Sequence, residues 1–99
     1  MTEKQKEVLC DALWRYGEEN QLRICMEECA ELIQAISKVQ RYPESKEHKA
    51  NLLEEIADVL ICIEYVKLIY GISEMFIDKE IEYKIQRISR RMNCEPLNE

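Results

Sequence analysis

Apolar residues recur along the chain at helical rather than strand spacing, in four blocks separated by sparse punctuation. The first block, from about Glu3 to Tyr16, stops at Gly17, a residue suited to a left-handed helix cap. The second starts near Asn20 or Gln21 and runs to about Arg41, ahead of the Tyr42-Pro43 step, where the residue before proline is steered out of the helical region. Ser45 predicts the N-cap of a third helix that reaches Tyr70, with Gly71 just past its end. Ser73 predicts the cap of a fourth, whose stripe of Ile77, Ile81, Ile85, Ile88 and Met92 keeps a 4-4-3-4 spacing. No segment alternates with the period of a strand. The expectation is an all-α fold, a four-helix antiparallel bundle, since short connections favour antiparallel neighbours. With no repeat or linker, residues 1–99 read as one domain, its core over about 3–93 and a frayed tail over 94–99.

Winding the second helix at about 100° per residue from Glu28 puts Leu22, Cys25, Cys29, Leu32, Ile33, Ile36 and Val39 on one core stripe. Glu27 falls on the opposite side and is an ordinary solvated residue. Glu28 lies on the border of the stripe, and Glu31 follows one turn along the same edge. Gln21 and Lys38 extend that edge in both directions. The third helix, ANLLEEIADVLICIEYVKLIY, is apolar over most of its circumference and is expected to be largely buried. Glu54 and Glu64 have a way out to water there, whereas Glu55 is flanked by apolar residues on both sides, with Asp58 one turn further on.

A lone buried carboxylate is costly and tends to protonate. Two i,i+3 pairs on antiparallel helices, Glu28/Glu31 and Glu55/Asp58, offset that cost in a different way, by concentrating charge around a hard divalent cation. Mg²⁺ takes carboxylate and water oxygens and often completes its shell with substrate phosphates. Each pair alone has the bland reading of two carboxylates facing water, and periodicity leaves both readings open.

Composition narrows the choice. Apolar residues make up 46% of the chain and charged residues 34%, with two Gly and two Pro, which suits few, long helices. The formal net charge of −6 argues against a nucleic-acid polymer as partner, while leaving small phosphate ligands open where a cation mediates. Five cysteines, at 10, 25, 29, 62 and 94, form no CxxC pair and read as reduced thiols of a cytoplasmic protein. No apolar run is long enough to cross a membrane, and the opening MTEKQKE is too polar for a signal peptide. A third helix with more apolar face than one small chain covers predicts a homodimer or homotetramer.

At the two acidic motifs the chain resembles a known family. Glu27-Glu28-Cys29-Ala30-Glu31 followed by Glu54-Glu55-Ile56-Ala57-Asp58, with 23 residues between Glu31 and Glu55, is similar to the EExxE and EExxD signature of the all-α nucleoside triphosphate pyrophosphohydrolases of the MazG type. The resemblance covers about residues 10–92. It implies Mg²⁺-dependent cleavage of a nucleoside triphosphate between the α- and β-phosphates, to a monophosphate and pyrophosphate, by an oligomer, with Mn²⁺ as a possible substitute. By position it implies Glu28, Glu31, Glu55 and Asp58 as metal ligands, with Glu31 also orienting or deprotonating the attacking water and Glu55 essential to catalysis. Lys84 and Arg91 match a Lys and an Arg that similar proteins place seven apart, for the distal phosphates. The family often has Asn where this chain has Ile88, and an aromatic where it has Cys62, leaving Tyr65 to compensate. Arg87 and Lys38 are further phosphate candidates. Each of these basic residues also reads as a solvated helix end favoured by the macrodipole. Gln21 and Trp14 are candidates for the nucleoside end, although a lone Trp on an amphipathic helix is also ordinary core.

Two rivals bear on the same residues. A di-iron bundle needs Glu-x-x-His pairs, and the single histidine, His48, has Ser45 three residues before it. His48 is expected at the surface. A non-catalytic helical adaptor, oligomeric and merely solvated by its acidic edges, is the alternative from another class.

Overall fold

The structure, a computed structural model, describes residues 1–94. Four helices account for nearly all of them: α1 (Glu3–Tyr16), α2 (Glu18–Arg41), α3 (Lys46–Tyr70) and α4 (Glu74–Cys94). Of the tail expected over 94–99, Cys94 still closes α4, and the remainder lies outside the described residues.

The stops are local chemistry. Thr2 caps α1 in a reciprocal box: its hydroxyl accepts from the Gln5 N–H at 3.1 Å, and its own N–H donates to the Gln5 side-chain oxygen at 2.8 Å. Ser45 caps α3 by accepting the His48 N–H at 3.1 Å, and Gly71 ends it in the left-handed region, at φ 63° and ψ 37°. Gly17 does end α1, but at φ 88° and ψ 153° it is not a left-handed helical cap. That conformation, open almost only to glycine, turns the chain in one residue, so α2 begins at Glu18 rather than near Asn20. Glu18 and Glu19 then sit in the first turn, where the helix dipole favours negative charge.

The α2–α3 hairpin is the spine of the molecule. Its two helices run antiparallel, since Cys25 meets Cys62 and Glu28 meets Glu55. The Cys25 thiol donates to the Cys62 carbonyl at 3.5 Å. Together with Tyr65 these cysteines form the buried core, closed from outside by Leu9, Ala12 and Leu13 of α1 and by Val66. All five cysteines are unpaired. His48 is half-buried rather than at the surface, its ring 5.5 Å from that of Tyr42. Glu64 does not escape to water: its side chain is only 15% accessible and is bound by Lys67 at 3.1 Å. Lys67 also holds Glu74, tying the start of α4 to the end of α3.

Beyond that tie, α4 packs on none of the other helices. The radius of gyration is 17.4 Å, against about 13 Å for a compact domain of this length. The helical stripes are correspondingly bare. On α2, Cys25 is buried while Ile33 and Ile36 are exposed, and on α3 so are Leu53, Ile56, Leu60 and Ile63. The expectation that α3 is largely buried therefore fails within one chain. Two helices in contact cover one strip of each other, and an α3 apolar nearly all round needs neighbours on several sides. Among the described residues no helix is long and apolar enough to cross a membrane.

Candidate metal centre

Three carboxylates converge in the seam of the hairpin. Glu28 and Glu31 come from adjacent turns of α2 and Glu55 from α3, and one oxygen of each lies within 4.8 Å of the others. The i,i+3 spacing puts the two α2 residues on one edge, and antiparallel pairing carries Glu55 across from them. Asp58, one turn beyond Glu55 and half-buried, lies outside that trio but acts on it as a charge.

The electrostatics are unbalanced. Glu28 is pushed up to about 7, first by burial and then by the charges of Glu31, Asp58 and Glu55. Burial, followed by the Glu31 charge, also raises Glu55. One oxygen of each, Oε2 of Glu28 and Oε2 of Glu55, is inaccessible to solvent and has no hydrogen-bond partner. Native proteins pair such atoms as a rule, so two orphans side by side call for a cation or another donor. No side-chain cation comes from the chain itself: among the described residues the ion pairs are Lys6–Glu3, Lys67–Glu64 and Lys67–Glu74, all elsewhere.

The donor set fits a hard divalent cation. Carboxylate oxygens from two rigid helices match Mg²⁺ or Mn²⁺, which bind through a few carboxylates and leave positions to water and phosphate. The nearby thiol does not compete, because burial and the neighbouring Cys25 push Cys62 up to about 12, and it stays protonated. Glu31 is exposed, so the cluster opens to solvent on its side.

The other candidates are dispersed. Gln21 is buried, two turns before Glu28 on α2. Lys38 is exposed near the end of that helix. Trp14 is 92% exposed and shares a shallow pocket with Cys10, Gly17 and Leu68. Leu68 lies 13 positions beyond Glu55, roughly 20 Å along α3 at the helical rise, so Trp14 is well away from the carboxylates of its own chain. Lys84, Arg87 and Arg91 are exposed on α4, and the Arg87 guanidinium lies 5.9 Å from the Tyr83 ring centre. Since α4 packs on neither α2 nor α3, one chain does not bring these cations to its own cluster. The Lys67 clamp on Glu64 and Glu74 was missed from sequence. Its i,i+3 Glu64–Lys67 half was visible there, but the contact across Gly71 was not.

Comparison with known proteins bears on the same segments. The family model described as the MazG nucleotide pyrophosphohydrolase domain matches residues 16–92, which takes in α2, α3 and most of α4 and leaves nearly all of α1, with Trp14, outside. Searches of curated proteins and of solved structures each found no match.

Proposed function

We propose that this chain, which belongs to the MazG nucleotide pyrophosphohydrolase family, is a Mg²⁺-dependent hydrolase that splits a nucleoside or deoxynucleoside triphosphate between the α- and β-phosphates. Water adds at phosphorus, one P–O–P linkage breaks, and the products are a nucleoside monophosphate and pyrophosphate. The observation that carries the reading is the pair of orphaned carboxylate oxygens on Glu28 and Glu55 beside Glu31. A merely solvated acidic edge, as in an adaptor, has no reason to bury them.

Glu28, Glu31, Glu55 and Asp58 would hold Mg²⁺, with Mn²⁺ as a substitute. Bound there, the cation neutralises charge spreading over the phosphates and acidifies water. Glu28 and Glu55 supply the buried oxygens, and Asp58 adds charge from the next turn. Glu31, on the solvent side, orients the attacking water and accepts its proton. Lys38, Lys84, Arg87 and Arg91 take the distal phosphates, while Gln21 and Trp14 serve the nucleoside end.

The chain acts as a homo-oligomer. Its 8422 Å² of accessible surface exceeds the roughly 5,900 Å² of a folded monomer of this mass, and the bare isoleucines and leucines of α2 and α3 make up part of the excess. Residues 1–99 act as one domain, and the five unpaired thiols favour the cytoplasm.

The test is pyrophosphate release across a panel of canonical and altered NTPs and dNTPs with Mg²⁺. Release by the wild type, lost in Glu55→Gln with helicity intact, is the expected result. An inactive wild type, or an active Glu55→Gln, overturns the reading.

A further inference from the structure

Two thiols of the hairpin take no part in the chemistry proposed above, and they meet across its seam. Cys25 of α2 and Cys62 of α3 are each only 5% accessible. They lie 37 positions apart in sequence, yet the Cys25 sulfur is 3.5 Å from the Cys62 carbonyl oxygen. After burial, Cys25 is the group that acts most strongly on the Cys62 thiol, through a side-chain hydrogen bond and its charge. The other three cysteines, Cys10, Cys29 and Cys94, are exposed. Ala or Val fills a seam as well as Cys does, so packing alone does not call for sulfur on both sides.

A disulfide needs its Cβ atoms about 3.5–4.5 Å apart. A sulfur already in contact with the partner residue's backbone reaches that by a side-chain rotation and a slight closing of the two helices. The cover over the pair is thin, since Leu9, Ala12 and Leu13 of α1 are only partly buried. Burial and Cys25 push Cys62 up to about 12, which makes it the poorer nucleophile and leaves the first attack to Cys25. The Cys25 thiolate breaks the O–O bond of hydrogen peroxide, becomes a sulfenic acid and releases hydroxide. Its neutral sulfur no longer repels charge on Cys62. The Cys62 sulfur then bonds to it, the sulfenic hydroxyl leaves, and the Cys62 proton is carried off as water. Two thiols and one peroxide give one disulfide and two waters, with two electrons passing to the peroxide.

We propose that Cys25 and Cys62 form a reversible disulfide, made by peroxide and undone by thiol reductants, that locks α2 to α3 beside the carboxylate cluster. Cys25 precedes Glu28 by three positions, so the lock sits one helical turn from the cluster. In the reduced chain the buried core of this seam is Cys25, Cys62 and Tyr65, and carboxylates repel one another across it. The bond holds Glu28 opposite Glu55 against that repulsion. It also closes a loop containing the whole α2–α3 connection, which constrains the unfolded chain.

Peptide mapping tests this on the wild-type protein. Reduced protein is treated with hydrogen peroxide, its remaining thiols are blocked with N-ethylmaleimide, and it is cleaved after glutamate without reductant. Glu27 and Glu28 lie between Cys25 and Cys29, so cleavage there tells the two apart. The expected product joins the Cys25 and Cys62 peptides, lighter than their sum by two hydrogens, and dithiothreitol separates them. In EDTA the oxidised protein is expected to melt roughly 10 °C or more above the reduced protein. Cys25→Ala and Cys62→Ala are each expected to lose that gain. Bridges that use Cys10, Cys29 or Cys94 instead, or Cys25 and Cys62 recovered unjoined, overturn the inference. So does a joined pair with no rise in melting temperature. The map needs no variant to fold, and neither readout depends on whether the protein hydrolyses nucleotides.

Discussion

Replacing Glu28 with Gln separates the stability of the fold from its function. Glu28 lies at about 7 rather than 4.5, so its ionised form is disfavoured above neutrality by up to about 3 kcal/mol at 1.36 kcal/mol per pH unit. The cluster opens to solvent beside Glu31, and screening brings the realistic figure nearer 1 kcal/mol. The Gln amide removes that charge and donates toward Glu31 or Glu55, giving a partner to an oxygen that has none. For a domain of this size, about 1 kcal/mol raises the melting temperature by roughly 4–8 °C. The assay is thermal unfolding at pH 8 in EDTA, at one protein concentration, repeated with excess Mg²⁺. Glu28→Gln is expected to melt above wild type in EDTA, and only wild type is expected to gain when Mg²⁺ is added. A Glu28→Gln protein that melts lower in EDTA, or that gains as much from Mg²⁺ as wild type, refutes the reasoning.

Other consequences follow from the same structure. Without metal, Glu28 and Glu55 bind protons more tightly folded than unfolded, so stability falls as pH rises, for Glu28 between about 4.5 and 7; urea midpoints in EDTA that rise over that window contradict this. Gly17→Ala meets nothing within 4 Å, but its φ of 88° with ψ of 153° is strained for any L side chain, so a loss of about 1–3 kcal/mol is expected in urea denaturation. A loss within experimental error shows that the α1–α2 turn relaxes. Trp14 is the single tryptophan and is nearly fully exposed, so Trp14→Ala is expected to move stability by no more than about 0.5 kcal/mol. Quenching of its fluorescence by nucleotide, and not by Mg²⁺ alone, places it against the base; unchanged emission removes it from the site.

Most of the helical layout was legible in the sequence because its signals are local. Ser45, Gly71 and the 4-4-3-4 stripe of α4 involve residues within a few turns of one another, and the structure has helices where they point. Gly17 shows the limit of such signals, since the position of the stop was readable but not the conformation that lets α2 begin at once. The convergence of Glu28, Glu31 and Glu55 was readable because helical phase and antiparallel pairing suffice to bring them together. Asp58 lies outside that trio, which a helical wheel alone did not distinguish. The burial of α3 and the seat of α4 were not readable. An apolar stripe states that a face is to be covered, without stating by which chain, and here Ile33, Leu53 and Ile88 remain bare.

The central claim is that the orphaned oxygens of Glu28 and Glu55, beside Glu31, hold a divalent cation. Titrating the wild-type protein with Mn²⁺, following the free ion by electron paramagnetic resonance, tests it without any substrate. Saturable binding that Mg²⁺ competes away, and that Glu28→Gln and Glu55→Gln each abolish, is the predicted result. A wild type that binds neither ion contradicts the account.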